Sequence, residues 1–138
     1  MYYGFVKDST VSAGAPYLFT TKYLTNTNIG YNPTTGVFTF REPGWYEISF
    51  STSGAANNLT ITPTLVINGE HSTHVFAQAT STATTDFVSA SFNTVLYIQP
   101  SVLSNFATIQ VIDNGGAEVV ENANIIIKRI GWWNILRN

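Results

Sequence analysis

The two histidines are the first side chains to consider for chemistry in this chain. His71 and His74 lie three residues apart in a stretch predicted to be extended, and that spacing places side chains on opposite faces of a strand. A zinc site needs three or four converging ligands, and the chain has no cysteine to supply more. We therefore expect two half-exposed strand residues, and the sequence predicts no metal and no cofactor.

The carboxylates are the second set to consider, because glycosidases use two of them at a defined separation. Most stand at predicted turns or strand ends, where a solvated carboxylate is the ordinary finding. A Gly-x-Ser-x-Gly nucleophile motif is also lacking from the sequence. We accordingly predict that the protein is not an enzyme and assign no catalytic residue. The carboxylates are Asp8, Glu42, Glu47, Glu70, Asp86, Asp113, Glu118 and Glu121.

The scarcity of charge is the most informative feature of the composition. Charged residues make up 10% of the chain, against about 25% in typical domains. Such a chain either covers itself with Thr, Ser and Asn or packs much of its surface against copies of itself, and the 14% aromatic content favours self-association. A net charge of −2 provides no basic footprint for nucleic acid.

The sequence also predicts no membrane insertion, since no window approaches the roughly 20 apolar residues of a spanning helix. The first sixteen residues lack the apolar run of a secretory signal. If Met1 is the natural start, we expect no export by a classical N-terminal signal.

A stretch from Tyr31 to Phe50 shows the organisation of the chain most clearly. It reads as a turn, a strand, a second turn at Pro43-Gly44 and a second strand. About ten such strands, punctuated by Gly, Pro and Asn, predict an all-β sandwich or jelly roll in one domain, 1–138. Residues 1–24 are N-terminal strands or an attachment segment, and residues 132–138 form a C-terminal tail.

Several strands can be bounded from their alternation. Pro63 predicts an edge strand or a bulge, because proline cannot donate to a central ladder. Asn68-Gly69 predicts a tight hairpin turn between two of the strands. The further predicted strands are Tyr17–Tyr23, Leu59–Ile67, His71–Gln78, Asp86–Asn93, Thr94–Gln99, Phe106–Ile112 and Ala123–Ile130.

Two patterns predict an apolar surface that another subunit covers. Trp45 and Tyr46 are adjacent, so one faces the core and the other the opposite side. Three consecutive isoleucines in the last strand place apolar groups on both of its faces, and a neighbouring subunit is the simplest cover. The candidate interface or core residues are Tyr46, Ile48, Phe50, Ile125, Ile126 and Ile127. The candidate structural turn residues are Gly36, Gly44, Asn68 and Gly69, and the candidate attachment or stacking residues are Trp45, Trp132 and Trp133.

The order of turn and strand residues resembles a known family. Tyr31-Asn32-Pro33, Thr35-Gly36-Val37-Phe38, Pro43-Gly44 and Tyr46 are similar to the YN-x-x-TG-x-F…PG-x-Y signature of C1q/TNF-like domains. The segment from Asn122 to Gly131 resembles the final strand of bacterial and phage members. The resemblance extends over about Tyr31 to Gly131.

The resemblance implies a ten-stranded jelly roll, a compact homotrimer and a non-enzymatic role in recognition, adhesion or surface architecture. The chain departs from the family in lacking a Gly-X-Y collagen stalk. It also lacks, between Gln99 and Phe106, the Gly-Asp turn associated with a calcium site in many eukaryotic members.

Within this class we expect a phage virion component, such as a head fibre, a decoration protein or a tail-tip receptor-binding knob, assembled in the bacterial cytoplasm. The alternative is an adhesive domain on a bacterial cell or spore surface that binds a glycan or protein receptor. A carbohydrate hydrolase or lyase is the third class considered.

Overall fold

The computed structural model describes residues 1–24, 28–83, 87–99 and 106–131, and the account below concerns these residues. They form twelve β-strands connected by turns. The strands are β1 (Tyr2–Val11), β2 (Thr21–Leu24), β3 (Ile29–Asn32), β4 (Val37–Phe40), β5 (Gly44–Ala55), β6 (Thr60–Ile61), β7 (Pro63–Ile67), β8 (Glu70–Phe76), β9 (Ala79–Thr80), β10 (Phe87–Ile98), β11 (Ala107–Asp113) and β12 (Glu118–Gly131).

Ten of the strands form two five-stranded antiparallel sheets that pack face to face. We call the sheet with strand order β10-β5-β12-β1-β2 the front sheet and the one with order β3-β4-β11-β7-β8 the back sheet. Strands β6 and β9 pair separately as a short ribbon. This arrangement confirms the predicted all-β jelly roll. No helix among the described residues has the length and apolar character needed to cross a membrane.

The core lies between the sheets and follows directly from strand alternation. Along β5 every second side chain is buried, which places Tyr46, Ile48 and Phe50 inside. Aromatic rings dominate the contacts: the Tyr46 ring centroid lies 4.8 Å from that of Phe40, and the Phe50 centroid lies 4.9 Å from that of Tyr17. Burying each large apolar side chain stabilises the fold by about 1.5–3 kcal/mol.

The predicted strand Tyr17–Tyr23 is wrong in its first half. Only Thr21–Leu24 forms a strand, and it pairs with β1 of the front sheet. Before it, Pro16 bridges to Ile112 and the backbone N–H of Tyr17 donates to the carbonyl of Val111 at 2.9 Å, both in the back sheet. The chain crosses from one sheet to the other here, so Tyr17 and Phe19 are buried without a continuous ladder.

Other predicted boundaries also differ. The strands predicted at Asp86–Asn93 and Thr94–Gln99 are one strand, β10, whose residues from Phe87 to Ile98 all pair with β5. Asp86 lies outside the described residues. The last strand begins at Glu118 rather than Ala123, because its first residues already pair with β1 and β5.

Pro63 does not mark an edge strand. Strand β7 lies between β11 and β8 in the back sheet, and Pro63 is its first residue, where a missing donor is tolerated. The register of β7 against β8 shifts between Thr64 and Val66, which is the irregularity that the alternative interpretation predicted. At the other end of β7, Asn68 and Gly69 have φ of 51° and 84°, the positive values that a tight primed turn requires.

Candidate functional site

The outward side of the front sheet, which we call the front face, has a polar centre rich in Ser and Asn. Ser49, Ser51 and Ser53 lie there on β5 at the half-buried positions of its alternation. Their cross-strand partners on β10 and β12 are mostly Ser and Asn as well. A shallow cavity of about 450 Å³ lies over the middle of this centre. The paired residues are Asn93, Ser91 and Ser89 on β10, and Ile126, Asn124 and Asn122 on β12.

Apolar groups flank the polar centre at both ends of the front face. At one end the Trp45 ring lies 5.6 Å from Tyr97, and beside the centre, on β1, the Tyr3 ring lies 6.2 Å from Phe5, measured between centroids. At the other end Phe87 is 64% exposed and Val119 57% exposed, both opposite Ala55. Exposed apolar groups gathered on one face indicate a surface that binds another surface.

Charges are few on the front face, although Glu121 lines the cavity over its centre. Glu47 and Lys128 are cross-strand partners whose carboxylate and ammonium groups are 4.0 Å apart. Lys7 stands opposite Asn122 on β1. A mixed centre with few charges and apolar ends matches the composition of a subunit contact better than that of a solvated surface.

The structure divides the six predicted interface or core residues into two groups. Ile126 is half-buried on the front face, opposite Tyr3 and Ser49. The other five point inward and are at most 1% exposed. These five are Tyr46, Ile48, Phe50, Ile125 and Ile127.

The tryptophans predicted as attachment or stacking residues are placed differently from one another. Trp45 lies on the front face, is half-buried and contacts Tyr97 with the two rings at 60° to each other. Trp132 and Trp133 lie outside the described residues.

The histidine prediction needs one correction. The sequence predicts regular alternation along the strand that carries both histidines. The shift in register pairs His71 with Val66 and Phe76 with Thr64, so regular alternation does not hold between His71 and Phe76. Both His71 and His74 are exposed. The described residues contain no group of three His, Cys, Asp or Glu placed to hold a metal ion.

Two carboxylates expected at solvated strand ends are instead fully buried. Glu118 accepts a hydrogen bond from the Tyr17 hydroxyl at 2.7 Å and another from the Thr52 hydroxyl at 2.7 Å. Asp113 accepts backbone hydrogen bonds from Thr62 and Gly115, both at 3.0 Å. Sequence reasoning missed this cluster. The sequence feature that could have revealed it is Thr52, a polar residue at an inward position of β5 that needs a buried partner.

Burial changes the acidity of this cluster. It raises the pKa of Glu118, the hydrogen bonds from Thr52 and Tyr17 oppose that rise, and the charge of Asp113 adds to it. Burial likewise raises the pKa of Asp113 against the opposing backbone hydrogen bonds from Thr62 and Gly115. Burial and the adjacent Glu118 raise the pKa of the Tyr17 hydroxyl.

Glu118→Gln is expected to change how stability depends on pH. The unfolded chain ionises Glu118 at a lower pH than the folded chain does, so ionisation costs folding free energy at neutral pH. That cost disappears as the pH falls to the ordinary carboxyl value. The unfolding free energy of the variant minus that of the parent should therefore be largest near pH 7 and should decrease toward acid pH.

Urea unfolding at a series of pH values measures this difference. Glu121→Gln, which alters an exposed carboxylate on the same strand, is the matched control. A difference between Glu118→Gln and the parent that stays constant across pH would contradict the assigned cost of ionisation.

The comparisons with known proteins agree with this geometry. The C1q domain family matches residues 5–102, more than half of the chain. The chain therefore belongs to the C1q domain family. The matched range begins earlier and ends earlier than the resemblance read from the sequence motifs, although the fold continues through β12. No curated protein sequence matches the chain.

Solved structures share the whole fold at low sequence identity. The globular domain of zebrafish complement 1qA protein has a TM-score of 0.67 at 17% identity and covers 94% of this chain and 95% of its own. Eiger TNF from S. frugiperda has a TM-score of 0.60 at 13% identity, with 97% and 94% covered. The PRD1 vertex protein P5 has a TM-score of 0.61 at 11% identity, with 94% and 95% covered. At these identities the likeness establishes the C1q/TNF-like fold.

Proposed function

We propose that this protein is a non-enzymatic, homotrimeric binding or structural module whose subunits meet through the front face. The observation that carries the proposal is the composition of that face, where a Ser/Asn centre with few charges lies between apolar ends. The low total charge of the chain supports it, since a self-associating surface needs few charges. The expectation of three subunits comes from membership in the C1q/TNF-like family.

The front face is large enough for this role. Strands β5 and β10 are each twelve residues long, which corresponds to roughly 35 Å at about 3.3 Å per residue. Five strands at about 4.8 Å spacing give a width of roughly 20 Å. The resulting area, on the order of 700 Å², approaches the roughly 800 Å² that each partner buries in a standard interface.

Within this class we propose a component of a phage virion, such as a head fibre, decoration protein or tail-tip receptor-binding knob, assembled in the bacterial cytoplasm. The similarity to the PRD1 vertex protein P5 supports this proposal. The expected partners are two further copies of the chain and a larger virion assembly.

A second candidate is an adhesive domain of a bacterial cell or spore surface. The observation that favours it is a second concave surface on the back sheet, on the opposite side of the sandwich from the front face. An adhesive domain would bind its glycan or protein receptor there.

The neighbouring genes and the composition of purified particles separate the two candidates. Capsid or tail genes beside the coding sequence, and peptides of this chain in purified virions, are expected for the virion component. Sortase or exosporium genes, together with peptides found in washed cell or spore envelopes, would overturn the virion proposal in favour of the surface domain.

A further inference from the structure

A second cavity, which we call the back cavity, lies on the outward side of the back sheet. Its volume is about 440 Å³. Phe76 borders it and is 45% exposed. The rest of its lining consists of hydroxyl, amide and imidazole groups, including those of Thr62, Thr64, His71 and Asn114.

The irregular pairing of β7 with β8 builds one side of the back cavity. The Ser72 hydroxyl accepts hydrogen bonds from the backbone N–H groups of His74 at 3.2 Å and Val75 at 2.9 Å, which takes the place of regular ladder bonds. Between the pairs Thr64↔Phe76 and Val66↔His71, β8 contributes three more residues than β7. The extra residues bring the Phe76 ring and the His71 imidazole to the same cavity.

Buried Asp113 holds the other side in place. Its Oδ1 accepts from the backbone N–H groups of Thr62 and Gly115, and the N–H of Asn114 donates to the carbonyl of Thr62 at 2.9 Å. The segment that carries the Thr62 and Asn114 side chains is thereby tied to the end of β11. A wall fixed in this way presents its polar groups at little ordering cost when a ligand binds.

The chemistry of the back cavity selects a neutral, hydroxyl-rich ligand with one apolar face. Among the residues that the structure describes, its lining includes no carboxylate, lysine or arginine, so no permanently charged side chain there selects an anion or a cation. An exposed aromatic ring stacks on an apolar ligand face, while hydroxyl and amide groups donate and accept hydrogen bonds around it. The volume falls within the range of small-molecule sites.

We propose that the back cavity binds a neutral hexopyranose unit of a glycan, with the C–H face of the sugar on Phe76 and its hydroxyls bound by Thr62, His71 and Asn114. This inference rests on the binding role in the proposed function and names its ligand class. A peptide that added a strand would need the backbone donors of β8, and the Ser72 hydroxyl already accepts hydrogen bonds from those of His74 and Val75. The front face lies on the other side of the sandwich, so a trimer presents three back cavities.

Phe76→Ala tests the proposal on an array of immobilised glycans ending in glucose, galactose, mannose or sialic acid. The parent protein should retain one neutral hexose class, and Phe76→Ala should weaken that retention by about tenfold, since stacking is lost. Phe76→Trp should keep it. Phe106→Ala, which truncates a phenylalanine 42% exposed outside the back cavity, is the control and should bind like the parent.

The mass of each variant in solution separates this proposal from the trimer proposal. Neutral-glycan retention that depends on Phe76 in a monomeric protein would support the back cavity and contradict the trimer. A trimer that retains no neutral glycan, retains only sialylated ones, or binds equally well as Phe76→Ala and Phe106→Ala would overturn the back cavity and leave the trimer intact.

Discussion

Replacing Gly44 by valine is expected to abolish the soluble folded protein. A Cβ at this position would lie 2.5 Å from the carbonyl oxygen of Gly131 and 2.9 Å from Nε of Arg129. The backbone has little room to move, because the Arg129 Nη2 donates to the Pro43 carbonyl at 2.8 Å and Arg129 also forms an ion pair with Glu42. Overpacking of this kind costs about 1–3 kcal/mol and more where the backbone itself is in the way.

Gly131, whose carbonyl oxygen lies beside Gly44, provides the control for this prediction. A Cβ at Gly131 would lie 3.5 Å from the Trp45 side chain, an ordinary contact. Gly131→Ala should therefore be soluble and should unfold at nearly the parental temperature. Circular dichroism and soluble yield measure both variants, and a Gly44→Val protein that is as stable as the parent would show that this turn does not need its glycine.

Ile126→Arg is expected to convert the trimer into folded monomers. The side chain is half-buried on the front face, beside Tyr3 and Ser49. In a monomer the arginine stem can lie along that surface with its charge in water. In a trimer the charge would be buried in the subunit contact without a partner, which typically costs several kcal/mol.

The matched control places the same side chain on the other sheet. Thr108 is half-exposed on β11 of the back sheet, opposite Thr39, and Thr108→Arg should leave the trimer intact. Light scattering measures mass, and circular dichroism verifies the fold of both variants. An Ile126→Arg protein with the parental mass would exclude the centre of the front face from the subunit contact.

The fold was largely predictable because its determinants are local. Alternation on β5 separates Trp45 from Tyr46, and Asn68-Gly69 specifies its own turn. The residues whose positions were predicted wrongly depend on pairing between distant segments. Tyr17 is buried at a crossing between sheets, and Pro63 occupies the first position of an interior strand.

The candidate sites were less predictable for the same reason. The polar centre of the front face is assembled from β5, β10 and β12, and serines at alternating positions do not indicate which surface they will form. In the sequence Glu118 cannot be distinguished from a solvated carboxylate, because its partner Tyr17 lies 101 residues away. The back cavity depends on an irregular pairing that residue spacing does not reveal.

The mass of the purified protein in solution tests the central claim most directly. Light scattering at micromolar concentration should give three times 15.1 kDa, or about 45 kDa, and this mass should persist on dilution. A single species of 15.1 kDa at that concentration would contradict the homotrimer and the assignment of the front face as its subunit contact.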